Sequence, residues 1–321
     1  MTVTSSSTPS SAAKDHLPSR SHLDRYGFLF GYPISHSLSP LFHNTLYSHL
    51  NLKWQQFFFE SATLSDCLPY LQDPQFYGAS VTMPHKVNII PHLDELTDEA
   101  KACGACNTIY LKEKDGRRVL CGTNTDVIGV REAFLQNVKD PKSKYEGRPG
   151  MVVGGGGAAR ASVYALWRYL GAKQIYLVNR DPKEVEVLID WCTKNGYGEG
   201  LIHVKTVEQA QSLEGTGAIV ACVPDLVPNT EEEKTARKIL ENFLGREHKG
   251  AILEMAYHPK PWTGIAQLST DFGWQVMLGT EAMMYQGFEQ DRYWTGKGLE
   301  DLPVKEVKKV ISEELEKSVK H

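Results

Sequence analysis

Four consecutive glycines, Gly154 to Gly157, constrain this chain more than any other feature. They follow the apolar stretch Met151-Val-Val153 and precede Ala158-Ala-Arg160 and the helical stretch 161–170, which ends at Gly171. Gly154, Gly156 and Ala159 fit the spacing G-x-G-x-x-G/A. The first glycine permits a tight turn, the second lets backbone approach a pyrophosphate, and the small third residue lets the helix pack close to its strand. Gly157 and Ala158 lead into that helix, whose N-terminus presents backbone N–H groups and a partial positive charge to phosphates. The next strand, 174–178, runs into Asn179-Arg180-Asp181. Strand, glycine turn, helix and a strand with a polar end make a dinucleotide site, the competing reading being a merely flexible turn.

The end of that second strand separates NAD from NADP. An acid there accepts from the ribose 2′-hydroxyl, whereas an arginine favours a 2′-phosphate. The chain offers both Arg180 and Asp181, with Lys183 nearby. Arg180 can stack its planar guanidinium on adenine, leaving Asp181 to repel a 2′-phosphate and favour NAD. Asp181 can equally cap a helix starting at Pro182.

Around this unit the chain alternates strand-like and helix-like stretches. Strands are expected at 26–32, 54–60, 78–82, 107–111, 219–223 and 251–255. A helix is expected from Pro40 with Ser39 as its N-cap, Leu41, Leu46 and Leu50 lying near one face with Tyr47 beside them. Such alternation argues for an α/β fold with mostly parallel sheets. A length of 321 residues suits two domains. We expect an N-terminal α/β domain over 22–140, a Rossmann-type dinucleotide-binding domain over 141–280, and C-terminal helices over 281–321 packing back on the first domain. Residues 1–21 hold ten Ser or Thr and few apolar groups, so a disordered tail is expected there.

Composition narrows the function classes. The net charge is −4, which gives no global pull toward nucleic acid or an anionic membrane. No apolar run approaches the ~18 residues of a spanning helix, and the N-terminus lacks an apolar signal core. Of six cysteines only Cys103 and Cys106 sit close, as Cys-Gly-Ala-Cys. A zinc site would need a second ligand pair at suitable spacing. Reduced thiols in a cytoplasmic protein are therefore expected, with no metal.

Ser37, Ser39, Thr82, Lys86, Asn107 and Asp126 fall at predicted strand ends or turns, where α/β ligands bind. Together they suit a small polyhydroxylated acid, although each alone reads as a cap, a strand end or a solvated lysine. Their surroundings are more specific. Gly31-Tyr-Pro-Ile-Ser-His-Ser-Leu-Ser-Pro40 with His43-Asn44 resembles the opening motif of the shikimate/quinate dehydrogenase family. Val81-Thr-Met-Pro-His-Lys86 resembles its V-T-x-P-x-K segment, Gly104-Ala-Cys-Asn-Thr108 its G-A-x-N-T and Gly122-Thr-Asn-Thr-Asp126 its G-x-N-T-D. The glycine loop, Asn179-Arg180, and Gly279 through Gln286 follow in the family's order, and the likeness covers roughly residues 25–297. The size and undivided build most resemble the stand-alone fungal members that act on quinate.

The resemblance implies roles. Ser37 and Ser39 would bind the substrate carboxylate, and Thr82, Asn107 and Gln286 its ring hydroxyls. Lys86 and Asp126 would form the catalytic pair. Tyr257 and Gly279 would lie near nicotinamide and substrate, with Met255 flanking the ring. Oxidising a secondary alcohol requires removal of the O–H proton as hydride leaves carbon, so a positioned base helps. The expected reaction is oxidation of quinate with NAD, shikimate being a second substrate. The alternatives are an NADP-dependent shikimate oxidation and a non-catalytic sensor of the same metabolites. The expected assembly is a monomer or homodimer. The chain departs from the family pattern at Ser80, usually Asn; at Ala221-Cys-Val-Pro224, where Pro224 has no N–H to donate; and at Glu254, usually Asp.

Overall fold

The computed structural model describes residues 18–319. The expected disordered tail falls at residues 1–17 outside the described residues. Its last positions are held: the Arg20 guanidinium stands 4.3 Å from the centre of the Tyr26 ring and 5.4 Å from that of Tyr70. The chain divides into two compact units.

The first unit comprises residues up to Thr97, Cys106–Thr123 and Gln290–Ile311. Its sheet has the order β2-β1-β3-β5-β6-β4, built from β1 (Arg25–Gly31), β2 (Trp54–Glu60), β3 (Phe76–Val81), β4 (Glu95–Leu96), β5 (Thr108–Lys114) and β6 (Arg117–Thr123). Strands β1, β2 and β3 run parallel, but β5 is antiparallel to both β3 and β6. The mostly parallel arrangement expected for this half holds in three of its five strand pairings, and β5 is the one strand that runs against its neighbours. The physical reason is the Asp115-Gly116 turn, where both residues take positive φ, 52° and 70°. Such a pair matches the twist of a tight hairpin. Aromatic side chains fill the core: Phe28 packs edge-on against Tyr26, Phe59 and Tyr70, with centroids 5.1–5.4 Å apart.

Helix α1 (Ser39–His49) follows β1. Pro40 stands in its first turn as expected, but the cap is Leu38, and no side chain caps the helix. Ser39 is not the N-cap; its hydroxyl donates instead to Gln56 Oε1 at 2.9 Å.

The second unit comprises Asp98–Ala105, Asn124–Glu289 and the residues from Ser312 onward. It contains α2 (Asp98–Cys103), α3 (Asp126–Asn137), α4 (Pro141–Lys144), β7 (Gly150–Val153), α5 (Gly157–Arg168), β8 (Ile175–Val178), α6 (Pro182–Lys194), β9 (Leu201–His203), α7 (Val207–Ser212), β10 (Ala218–Ala221), α8 (Glu231–Leu244), β11 (Ala251–Glu254), α9 (Gly264–Asp271) and β12 (Gln275–Leu278). Helices α10 (Gly279–Thr295) and α11 (Val304–Val319) each carry residues of both units. All strand pairs here are parallel, in the order β12-β11-β10-β7-β8-β9. This is the doubly wound Rossmann order, reversing direction between β7 and β10.

Val152, Leu177, Val220 and Leu253 face a core shared with α3, α5 and α6. Their strand neighbours Met151, Tyr176, Ile219 and Ile252 face a second core with α8 and α9. Burial on both faces explains why these strands read as unbroken apolar runs. The sequence places a boundary after residue 140; in the structure α3, with Val127, Val130 and Phe134 in the core, groups with the second unit. Residues 290–311 group with the first unit and 281–289 with the second.

Candidate functional site

In the first unit, Ser37, Ser39, Thr82, Lys86 and Asn107 follow or adjoin the ends of β1, β3 and β5. Backbone bonds tie their segments together. Thr82 N–H donates to Phe30 O at 2.8 Å, Tyr32 N–H to Met83 O at 2.8 Å, Val81 N–H to Asn107 O at 2.7 Å and Cys106 N–H to Lys86 O at 2.7 Å. The serine loop is pinned by Ile34 N–H donating to Glu60 Oε1 at 3.0 Å, and Ser39 N–H donates to Ser37 Oγ at 3.2 Å. Ser37, Ser39, Thr82 and Lys86 are half-buried, and Asn107 is buried. These bonds bring the segments that carry two serines, a threonine, an amide and a lysine together at one end of the sheet.

Beneath it lies a buried polar layer of His43, Gln56, Ser80, Gln290 and Asp291. Burial pushes the Asp291 carboxyl up, and His43 beside it, 2.9 Å away, opposes that shift. Gln56, Gln290 and Asp291 were not legible as site residues. The available signal was weak: a glutamine inside an otherwise aromatic strand, and polar side chains on an apolar helix face. Ser80 bonds Gln56 and Gln290 instead of opening to solvent.

In the second unit, the glycine turn joins β7 to α5. Gly154 takes φ +130°, and its N–H donates to Val178 O at 2.8 Å. A Cβ on Gly155 would lie 2.6 Å from Glu184 Cβ, so this position too must remain glycine unless Glu184 shifts. At Gly156, the helix N-cap, a Cβ would meet no heavy atom within 4 Å. The backbone there is open beside the first turn of α5, whose N–H groups at Gly157 and Ala158 have no carbonyl within their own helix to bond. Ala159 is fully buried in the core with Val152 and Val220. These residues fit a dinucleotide pyrophosphate.

At the end of β8, Asn179 Nδ2 donates to Glu184 Oε2 at 2.7 Å, and Asp181 Oδ1 accepts from Lys183 N–H at 2.9 Å, so Asp181 does cap α6. The exposed Arg180 pairs with Glu233 at 2.5 Å. Glu233 also closes the capping box of α8; backbone N–H donors, Asn229 first, and Arg180 lower its carboxyl to about 2.

Beyond β11, Met255 and Tyr257 are half-buried, and Gly279 packs under Met255, whose carbonyl would lie 2.2 Å from a Cβ there. Glu254 is fully buried: Oε1 accepts from Ala256 N–H at 2.9 Å, Oε2 has no partner among the described residues, and burial pushes its carboxyl up to about 8. Asp126 opens α3, buried, its N–H donating to Asn124 Oδ1 at 3.1 Å, and Gln286 lies half-buried on α10. Burial raises the Cys103 thiol well above its ordinary value, and none of the six cysteines forms a disulfide among the described residues. Among the described residues no helix is long and apolar enough to cross a membrane.

Comparison with known proteins bears on both units. A family model, the shikimate dehydrogenase substrate binding domain, matches residues 29–109. A quinate dehydrogenase of Emericella nidulans is 46% identical over 297 residues, covering 87% of this chain and 90% of that protein. The chain belongs to the shikimate/quinate dehydrogenase family. Solved structures of the family agree with the fold. The dehydroquinate dehydratase and shikimate dehydrogenase of S. pombe AroM aligns with a TM-score of 0.70 at 32% identity, covering 89% of this chain and 53% of that one. Shikimate 5-dehydrogenase (AroE) from Thermus thermophilus, in complex with NADP(H) and shikimate, aligns with a TM-score of 0.68 at 26% identity, covering 89% and 98%. The expected family membership and its α/β architecture are thus both borne out.

Proposed function

We propose that this chain is an NAD-dependent quinate dehydrogenase, interconverting quinate and 3-dehydroquinate and also acting on shikimate. The observation that carries this reading is 46% identity along nearly the whole of a quinate dehydrogenase, with Lys86 and Asp126 in place. Nicotinamide, when bound, supplies the hydride acceptor. The protein's part is to bind, orient and move a proton. Ser37 and Ser39 meet the carboxylate end of the substrate, and Thr82, Asn107 and Gln286 hold ring hydroxyls. Lys86 Nζ takes the proton of the reacting hydroxyl in oxidation and returns it in reduction. Asp126, the other member of the catalytic pair, binds a neighbouring hydroxyl. The Gly154–Ala159 turn holds the pyrophosphate, Asn179 to Asp181 the adenosine, and Met255, Tyr257 and Gly279 the nicotinamide end.

NAD is favoured over NADP by the charge around β8. Asp181 stands free of any cation partner among the described side-chain contacts, while Arg180 is already engaged by Glu233. Initial rates with quinate and shikimate, each with NAD and NADP, test the reading. The expected order puts quinate with NAD first; a preference for shikimate with NADP transfers the chain to the other branch of the family. Lys86→Ala should cut turnover by about 10²–10⁴-fold with quinate binding largely kept. Binding without turnover in the wild type would leave a sensor.

A further inference from the structure

A directional chain of hydrogen bonds in the first unit ends on Ser39. His43 Nε2 lies 3.2 Å from Gln290 Oε1. Gln290 Nε2 donates to the Thr108 hydroxyl at 2.9 Å and, at 3.4 Å, to the Asn107 backbone carbonyl. Ser80 donates to Gln290 Oε1 at 3.3 Å, Gln56 Nε2 donates to Ser80 Oγ at 3.1 Å, and Ser39 donates to Gln56 Oε1 at 2.9 Å. Gln56 cannot drift along its strand. Its backbone N–H donates to Asn44 Oδ1 at 2.7 Å, and its carbonyl accepts from Asn44 Nδ2 at 3.0 Å.

The direction is set by groups that cannot reverse. A backbone carbonyl only accepts, so the Asn107 carbonyl draws the nitrogen of Gln290 to its side. Thr108 gives its proton to Asn107 Oδ1 at 2.8 Å and offers Gln290 a lone pair. The oxygen of Gln290 then faces Ser80, which must donate to it. Ser80 is left with lone pairs toward Gln56, whose NH₂ must therefore point at it. The oxygen of Gln56 then faces Ser39, which gives up its single proton. Gln56, Ser80 and Gln290 are at most 5% exposed, so water does not scramble the order.

Toward the substrate, Ser39 therefore presents lone pairs and no proton. Ser37 differs: its Oγ accepts from Ser39 N–H, which leaves its own proton to give. A carboxylate gains from Ser37 but not from an acceptor-only Ser39. A hydroxyl on the carbon that bears the carboxylate can donate to Ser39; quinate has that hydroxyl and shikimate lacks it. We propose that Gln56 is a specificity-determining positioning residue, which fixes Ser39 as an acceptor and so biases the site toward an α-hydroxy carboxylate. This rests on the reading that Ser37 and Ser39 meet the carboxylate end of the substrate.

The test uses the full-length enzyme with quinate and shikimate as competing substrates at fixed NAD. Gln56→Met keeps the length and removes the acceptor, so Ser39 regains a proton for the carboxylate. The ratio of kcat/KM for quinate over shikimate should fall about tenfold, the worth of one hydrogen bond, chiefly through KM. Ser80→Ala, a smaller change, frees the Gln56 amide to turn and should move the ratio the same way. In a Ser39→Ala background Gln56→Met should no longer move it. An unchanged ratio, equal losses on both substrates, or the same shift without the Ser39 hydroxyl overturns the proposal while leaving the functional reading intact. A wild type inactive on both substrates overturns the functional reading and this inference with it.

Discussion

Replacing Glu254 by Gln should change how stability depends on pH more than it changes stability itself. The Glu254 carboxyl is fully buried at the end of β11, and burial raises it from 4.5 to about 8. Above its ordinary value the unfolded chain has released this proton, whereas the folded chain keeps it until about 8. The folded state therefore binds more protons across that window, and stability falls as pH rises through it. The stabilising contribution is complete below the unfolded value and is lost as pH climbs through the folded one. At ~1.4 kcal/mol per pH unit, the whole window is worth about 5 kcal/mol at most. A glutamine keeps the acceptor for Ala256 N–H but cannot ionise. It adds a buried NH₂, whose cost of roughly 1–3 kcal/mol is the same at every pH.

Urea unfolding of both proteins at about pH 5, 6.5 and 8 separates the slope from the offset, because every other titrating group cancels in the difference. Hydrogen exchange of the β11 amides assigns the effect to the second unit. The variant should gain on the wild type by about 1 kcal/mol or more per pH unit between 5 and 8. Parallel curves would show that Glu254 is ionised in the folded protein at neutral pH, and the burial argument would be wrong.

Gly156→Ala should leave thermal stability within about 0.5 kcal/mol, since a Cβ there meets no protein atom within 4 Å; dinucleotide affinity, read by calorimetry, should nevertheless fall by about tenfold or more. A loss of stability instead would make this glycine structural. Asp181→Ser keeps a capping side chain for α6 but removes the charge that opposes a 2′-phosphate, so the NAD/NADP ratio in kcat/KM should narrow by about tenfold; an unchanged ratio leaves Asp181 with its cap alone. Gly104 takes φ +59°, and a Cβ would fall 2.3 Å from Trp191 Cε2, so Gly104→Ala should cost about 1–3 kcal/mol in unfolding experiments.

What the chain disclosed in advance was whatever depends on short spacing. The glycine turn, the unbroken apolar strands of the second unit and Pro182 behind a capping Asp181 are fixed by neighbours a few residues away. Strand β6 escaped because it opens with Arg117-Arg118 and carries Gly122, which conceals its period. Alternation of strands and helices suggests one more parallel strand for its hairpin partner β5, although Asp115-Gly116 is a sufficient hairpin signal. Ser39 looked like a cap because serine before proline usually is one. Its hydroxyl went instead to a residue seventeen positions on, a choice no local pattern encodes.

The same distinction separates the two halves of the candidate site. A pyrophosphate is bound by backbone N–H groups and by the absence of side chains, so a glycine pattern alone can announce it. A hydroxy acid is distinguished by which side-chain oxygens donate and which accept. That property belongs to no single residue: Ser39 has the same hydroxyl whether it faces a carboxylate or an alcohol. The sign of its contribution is fixed far along the chain, where Gln290 and Thr108 meet the Asn107 carbonyl. Specificity between two acids that differ by one hydroxyl can therefore change without any substitution among the residues that touch them, through one buried glutamine that turns.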